Sequence, residues 1–321
     1  MQQRVETFED VHVHAAAIGA WNQTYTQISP GLLQSSLMQI AGSRCHVFRE
    51  RINQRVVQQG EAPKNQACFA LPIDVPGSAH MQGRKVDDKS LFFLRGGEEF
   101  MFHMPMGMDM LAITFDQSLF EECLNSLPQA AKIACLLKQP VIKVSPERFL
   151  QCRHRVIALF TDALAASPLR ASPDGERLLE IALLHELLQL LADPECDATQ
   201  RQTSSTHSYI VEKLHRLIVS DAMNVPSIFE ASRRLHSSRR TVQNSFRAVA
   251  DTTPLNYLRS VRLNGVRRDL MSTRASDASI ADIASRWGFF HMSHFAEDYQ
   301  ALFNELPSQT PRIMPGESLS S

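Results

Sequence analysis

The spacing of hydrophobic residues divides the chain into a strand-rich first part and a helical second part. Before Pro146, short apolar segments alternate with turns such as Pro76-Gly77 and Gly96-Gly97, and regular turn spacing is typical of a small barrel or sandwich. A helix is expected ahead of these strands, over residues 15–28, because its apolar side chains recur at intervals of three and four. The predicted strands cover residues 32–40, 45–57, 66–73, 91–94 and 99–104.

Helical patterns begin at Pro146. One helix follows Ser145-Pro146, and a second runs over about residues 176–192, where leucines occupy nearly every face. Such a helix must be covered on more than one side, either by its own domain or by a second subunit. The leucines that either arrangement would bury are Leu184, Leu187, Leu188 and Leu191.

The polar, aperiodic residues 193–206 are typical of a linker between two domains.

A weak internal repeat follows the predicted linker. Apolar positions from residue 228 onward recur from residue 280 onward at an offset of 52, which becomes 53 after the turn. Each copy predicts a short helix, a tight turn and a second helix, which is the helix-turn-helix unit. In the first copy, Ser227 and Ser238 are expected to cap the two helices.

Charge distribution adds a candidate chemistry to this repeat. The whole chain has a net charge of -1, but residues 233–274 hold ten arginines against two aspartates. Such a stripe suits a phosphate backbone, although a solvated face has the same composition. If Val242 and Phe246 point inward, the second helix presents Arg, Gln and Asn outward, and these side chains match base edges and phosphates. The DNA-contacting candidates are Ser238, Arg239, Arg240, Thr241, Gln243, Asn244 and Arg247.

The region from about residue 208 to 311 resembles the DNA-binding domain of AraC/XylS-type transcription regulators. The resemblance implies two helix-turn-helix units joined by a long helix, and activation beside RNA polymerase. Its expected partners are double-stranded DNA, RNA polymerase, a small-molecule effector and a second copy of the chain. The matching segments are SSRRTVQNSF at 237–246, PLNYLRSVRLNGVRRDL at 254–270, IADIASRWGFFHMSHFAEDY at 280–299 and LFNELPS at 302–308.

Several residues depart from the pattern of that family. His236 and Asn304 stand where glycine is usual, and Ser232 where alanine is usual, yet His and Asn tolerate left-handed backbone. The second recognition helix carries the acids Glu297 and Asp298, which repel phosphates, so the first unit is expected to dominate specificity. Arginines of the joining helix either meet DNA or form internal ion pairs, with Arg262 expected to find an acid in its own domain. The second-unit candidates are His291, Met292, Ser293 and Glu297.

The first part of the chain loosely resembles the sensor domain of the ethanolamine-utilisation regulator and its relatives. The resemblance lies in AWNQTYTQISPGLL at 20–33, CHVFRERINQRVVQQGEAP at 45–63 and ACFALP at 67–72. It implies an effector site, an effector such as an amine or other catabolic substrate, and, for that relative alone, cobalamin; no other cofactor is expected. A methionine cluster over residues 101–110 predicts either core packing or a pocket. The effector-site candidates are Trp21, Phe48, Arg49 and Glu50.

Catalytic and metal-binding motifs are not found in the sequence. G-x-S-x-G, H-E-x-x-H and nucleotide-binding glycine patterns do not occur, and the lone H-x-H of His12 and His14 precedes the strands. We therefore expect neither an enzyme nor a metal site. The six cysteines form no C-x-x-C and are interpreted as free thiols. The chain has no run of about 18 apolar residues and no signal-peptide pattern at its start, which predicts a cytoplasmic protein.

Together these patterns predict an α+β chain with a small cupin-like β-barrel and flanking helices, followed by an all-α domain with two helix-turn-helix units. The predicted domains are 1–192 for effector sensing and dimerisation, 193–206 as linker, 207–312 for DNA binding, and 313–321 as a tail. The predicted function is sequence-specific transcription regulation in response to a small molecule. Activation is favoured over repression. Two alternatives remain open: a constitutive regulator whose first domain only dimerises, and a catalytic barrel tethered to a DNA-binding module.

Overall fold

The computed structural model describes residues 1–165, 172–196, 205–221, 223 and 227–313. Its first part is built on antiparallel strands, as the spacing of the turns predicts. The strands in chain order are β1 (Gln2–Phe8), β2 (Asn22–Gln27), β3 (Ser35–Ala41), β4 (Cys45–Ile52), β5 (Val56–Glu61), β6 (Gln66–Asp74), β7 (Ala79–Met81), β8 (Arg84–Val86), β9 (Ser90–Arg95), β10 (Glu99–Met104), β11 (Met108–Asp116) and β12 (Val141–Lys143).

These strands form two sheets. The seven-stranded sheet has the order β1-β3-β4-β11-β6-β9-β12, and the five-stranded sheet has the order β2-β5-β10-β7-β8. Alternate side chains from the two sheets meet in a shared apolar core that includes Tyr25, Phe48 and Phe102. Each sheet keeps two edge strands, so the two layers form an open barrel rather than a closed one. We refer to β1–β12 as the open barrel.

Five helices accompany these strands among the described residues. They are α1 (Val11–Ala17), α2 (Gln117–Asn125), α3 (Ala130–Leu136), α4 (Pro146–Ala165) and α5 (Pro173–Ala192). The leucine-rich helix α5 packs on α4 and on side chains of the seven-stranded sheet. Leu184, Leu187, Leu188 and Leu191 are all buried in this contact. The helix is therefore covered by its own domain, which settles the question that its sequence leaves open.

The helix expected over residues 15–28 is wrong. Helix α1 begins earlier, because the Asp10 carboxylate accepts hydrogen bonds from the backbone N–H groups of His12 and Val13 and caps it. It ends at Ala17, and the following segment becomes strand β2, which pairs along its length with β5. The threonines of β2 are β-branched, and strand pairing outweighs the helical spacing of the apolar residues.

Six helices form the second part of the described chain. They are α6 (Thr206–Ser220), α7 (Ile228–Arg234), α8 (Arg239–Ala250), α9 (Pro254–Ser272), α10 (Ile280–Arg286) and α11 (Met292–Phe303). Helices α7 and α10 begin 52 residues apart and α8 and α11 begin 53 apart, as the repeat predicts. No helix in the described ranges is long and apolar enough to cross a membrane.

Predicted domain limits fall partly outside the described residues. Most of the predicted linker, residues 197–204, and most of the predicted tail, residues 314–321, lie there. The limits 1–192, 193–206, 207–312 and 313–321 therefore stay predictions.

The joining helix α9 is buried on nearly all sides because it contacts both helix-turn-helix units and the open barrel. Its Asn264 side chain donates to the carbonyl of Gln27 at 2.8 Å and accepts from the N–H of the same residue at 2.9 Å. Its Tyr257 hydroxyl lies 3.1 Å from the ring of His103 and 2.9 Å from that of His215. The open barrel and the helical part thus share one polar interface.

Candidate nucleic-acid interface and ligand cavity

The first helix-turn-helix unit is fixed by local caps and a left-handed turn. Ser227 and Glu230 form a capping box at α7, with reciprocal bonds of 3.2 Å and 2.8 Å. His236 takes the turn with a positive φ of 47°, as its replacement of glycine requires. Ser238 Oγ accepts from the N–H of Thr241 at 3.0 Å and caps α8. These contacts set the angle at which α8 leaves the turn.

Helix α8 separates an apolar inner face from a polar outer face. Val242, Phe246 and Val249 are fully buried against α6 and α9. Ser245 also points inward, and its hydroxyl donates to the carbonyl of Thr241 at 2.7 Å. The predicted DNA-contacting residues on the outer face are exposed, apart from the half-buried Thr241: Ser238, Arg239, Arg240, Gln243, Asn244 and Arg247.

The outer face of α8 carries free hydrogen-bonding groups. Arg240, Gln243 and Asn244 make no side-chain hydrogen bond to any described residue, while Arg239 lies 4.9 Å over the ring of Phe229. Forked Arg donors match guanine, and the paired donor and acceptor of Gln or Asn match adenine. This is the chemistry that reading base edges needs.

The open barrel contacts the opposite end of α8. Arg55 pairs with Asp251 at 3.0 Å, and Ser78 Oγ donates to the carbonyl of Ala248 at 3.0 Å. Ala248 lies in the last turn of the helix, and Asp251 follows directly after it. The N-terminal half of α8, where Arg239, Arg240 and Gln243 lie, is left exposed to solvent.

The second unit repeats the backbone geometry but not the charge. Its helix α10 is capped by Ser279 and Asp282, and the predicted contact residues His291, Met292, Ser293 and Glu297 are exposed on or beside α11. Asp298 does not act as a free acid, because Arg259 of α9 pairs with it at 3.0 Å. One of the two acids expected to repel phosphates is thus neutralised, while the Glu297 carboxylate lies 3.6 Å from the ring of His294.

Arginines of α9 make internal contacts of two kinds, ion pairs and contacts with aromatic rings. Arg267 is buried and bonds to Asp10 of the open barrel and, at 2.5 Å, to Glu305. The expectation that Arg262 pairs with an acid is wrong: its guanidinium lies 4.8 Å over the ring of Phe289. Asp298, the acid on the facing helix, is already bound to Arg259, and burial lowers the pKa of Arg262.

A cavity of about 40 Å³ lies between the two sheets of the open barrel. Three of the four predicted effector residues, Trp21, Phe48 and Glu50, line it. Arg49 does not, because successive residues of a strand point to opposite faces of the sheet. Its guanidinium instead makes two bonds of 2.9 Å and 2.7 Å to Asp109, which raise the pKa of Arg49.

Polar groups in and beside the cavity converge on Glu50, which is 1% exposed. The Tyr25 hydroxyl donates to its Oε2 at 2.9 Å, and the Gln58 amide donates to its Oε1 at 2.8 Å. The ring Nε2 of His14 lies 3.4 Å from Oε2, and its Nδ1 lies 2.7 Å from the Ser35 hydroxyl. Tyr25 and Gln58 were not predicted as site residues, although both alternate inward on strands β2 and β5.

The structure also bears on the cobalamin, the methionine cluster and the metal site considered for this domain. A corrin ring system is far larger than a space of about 40 Å³, so this cavity does not fit the cobalamin that the resemblance implies. The methionine cluster is divided: Met110 lines the cavity, Met101 packs against the helical part, and Met106 is exposed. Within the described ranges, no group of three or more His, Cys, Asp or Glu side chains is arranged to hold a metal ion.

Comparison with known proteins bears on the helical part. Residues 231–312 match a family model described as a helix-turn-helix domain. The XylDLEGF operon transcriptional activator of Pseudomonas putida is 44% identical over 75 residues, which are 23% of each chain. The probable thc operon regulatory protein of Rhodococcus erythropolis is 27% identical over 157 residues, or 48% of this chain and 45% of that one. The chain spans less than half the length of these curated relatives.

Solved structures include the AraC-like transcriptional activator CuxR, which is 12% identical, covers 88% of this chain and 99% of its own, and has a TM-score of 0.42. The paired units and the matching family model define the helical part as a helix-turn-helix DNA-binding domain. Over this domain the chain is similar to operon regulators of the AraC/XylS type.

Proposed function

We propose that the whole chain is a sequence-specific transcription regulator that reads its operator mainly through α8 and senses a small molecule through the cavity of the open barrel. One observation carries the proposal: α8 is fixed by caps at its start and buried on its inner face, while Arg240, Gln243 and Asn244 face solvent without partners among the described residues. A rigid helix with unpaired base-reading side chains suits the major groove.

In this proposal the second helix-turn-helix unit adds to the affinity for DNA more than to the choice of sequence. Glu297 is a base-edge acceptor for cytosine, but an exposed carboxylate also opposes the phosphate backbone. Since α10 and α11 pack on the same joining helix as the first unit, α11 is carried to the duplex together with α8. Two such units joined by a helix suit two successive major-groove segments.

The direction of regulation and the partners are part of the proposal. Several matched relatives are named as operon activators or regulatory proteins, which favours activation and a contact with RNA polymerase over catalysis. Dimerisation belongs to the proposal as well. The four predicted leucines of α5 do not supply that dimer surface, since Leu184, Leu187, Leu188 and Leu191 are buried in their own domain. Leu178 and Ile181 of the same helix are exposed.

Binding to a selected operator tests the proposal. A duplex is enriched from a random pool with the full chain, and its affinity is measured by fluorescence anisotropy for the wild type and for Arg240→Ala and Gln243→Ala. Each variant is expected to lose about 1–3 kcal/mol, or about 5- to 150-fold in affinity, for a base contact. Arg155→Ala, an exposed arginine on α4, is the matched control and should bind as the wild type does. Equal affinity of all four proteins would refute the assignment of α8.

A further inference from the structure

The cavity of the open barrel carries a single formal charge. Glu50 is the one Asp, Glu, Lys or Arg side chain among its lining residues, all of which lie in the described part of the chain. Two other lining groups can titrate, but burial raises the pKa of Cys68 to about 12, and burial together with Glu50 raises the pKa of Tyr25 well above its usual value. The cavity wall is therefore anionic when Glu50 is ionised, and it has no cationic group.

Neutral donors orient the carboxylate of Glu50. Tyr25 and Gln58 are neutral donors, each bound to a different carboxylate oxygen. His14 is the one basic side chain within ionic distance in the described structure, at 3.4 Å, and its other ring nitrogen is engaged by Ser35. A carboxylate held rigidly in an apolar surrounding favours an incoming cation, because burying the negative charge is otherwise costly.

Aromatic rings form part of the cavity wall. Trp21 meets Phe48 and Phe100 edge to face, with centroid distances of 6.3 Å and 5.5 Å. Faces of such rings attract ammonium groups, and Trp is the strongest of them.

From this combination we infer that the cavity binds a small organic ammonium ion. The inference rests on the proposed function, in which this cavity holds the effector. A space of about 40 Å³ admits only a few heavy atoms, although the flexible side chains of Met81 and Met110 in the wall can yield to a slightly larger group. The single Glu50 carboxylate excludes small carboxylic acids, which would face a like charge.

Calorimetric titration of the full chain tests the inference. The probes are tetramethylammonium and ethylammonium as cations, tert-butanol as a neutral molecule of similar shape, and acetate as an anion. We expect a cation to bind the wild type, about tenfold or more weaker binding by Glu50→Gln, and unchanged binding by Glu99→Gln, an exposed acid on β10. Phe48→Leu removes the aromatic ring but keeps an apolar side chain, and it should weaken binding of the cation more than binding of the alcohol.

Operator affinity, measured on the same preparations, separates the two proposals. If neither cation binds, or if the alcohol or acetate binds as well as the cations, the ammonium inference is overturned while retained operator binding leaves the regulator assignment standing. Cation binding that Glu50→Gln and Phe48→Leu leave unchanged overturns it too, because the ion would then bind elsewhere. If the wild type binds no operator sequence, the proposed function is refuted instead.

Discussion

Replacement of Arg267 by alanine is expected to destabilise the chain more than any other single arginine substitution on α9. The Arg267 side chain is 7% exposed and bonds to Asp10 and Glu305, whose side chains are 11% and 26% exposed. Its guanidinium also lies 4.8 Å over the ring of Phe303. Removing one partner of a buried ion pair leaves the other charge uncompensated, which costs about 3–5 kcal/mol. The loss should therefore be about 3–5 kcal/mol of unfolding free energy.

The neighbouring Arg268 provides the control. Its side chain is 46% exposed and lies 3.7 Å from Asp269, so Arg268→Ala should cost less than about 1 kcal/mol. Urea unfolding, followed by circular dichroism, measures both. Asp10→Asn completes a double-mutant cycle, because asparagine still caps α1 but removes the charge. If Arg267→Ala unfolds at the same urea concentration as Arg268→Ala, the buried network does not join the open barrel to the helical part.

Three further substitutions or conditions test other contacts. Gly265→Ala would place a Cβ 2.3–2.4 Å from ring carbons of Trp287, so it should lower stability by about 1–3 kcal/mol despite its helix propensity, as thermal unfolding would show. Burial lowers the pKa of His215 to about 4 and that of His103 well below 6.5, so stability should be full above pH 6.5 and fall on acidification. The loss from pH 7.5 to 5 should be about 2 kcal/mol for each histidine, and urea midpoints of the wild type and His215→Gln should converge at low pH. His236→Gly removes a left-handed non-glycine residue and should raise the unfolding free energy by about 1 kcal/mol in urea unfolding; an unchanged or lower value would contradict this.

The helical part could be predicted well because its information is local. Ser227 and Ser238 cap helices by bonds to residues three positions ahead, and the inward positions of α8 follow from the 3.6-residue period. The repeat offset of 52 and 53 residues also needs no long-range contact. Pairing partners are less predictable: Arg259 pairs with Asp298 while Arg262 lies over the ring of Phe289, and only the packing of α9 against α11 shows this.

The open barrel could be predicted in type but not in detail. The apolar residues of strand β2 recur at helical spacing and so predict a helix, while its pairing with β5 depends on residues 29 to 39 positions away. The segment 45–57 was expected as one strand, yet residues between Ile52 and Val56 turn the chain from one sheet into the other. Three of the four effector candidates suggested by the resemblance line the cavity, whereas strand alternation places Arg49 on the other face of the sheet.

Genome-wide mapping of DNA occupancy tests the central claim most directly. The tagged wild type and its Arg240→Ala variant are expressed at equal levels, and their bound fragments are sequenced. For the wild type we expect sharp peaks beside promoters that share one sequence motif. For Arg240→Ala we expect these peaks to be lost or redistributed, since Arg240 is an exposed side chain at the start of α8. Identical peaks and motifs for both proteins would contradict it.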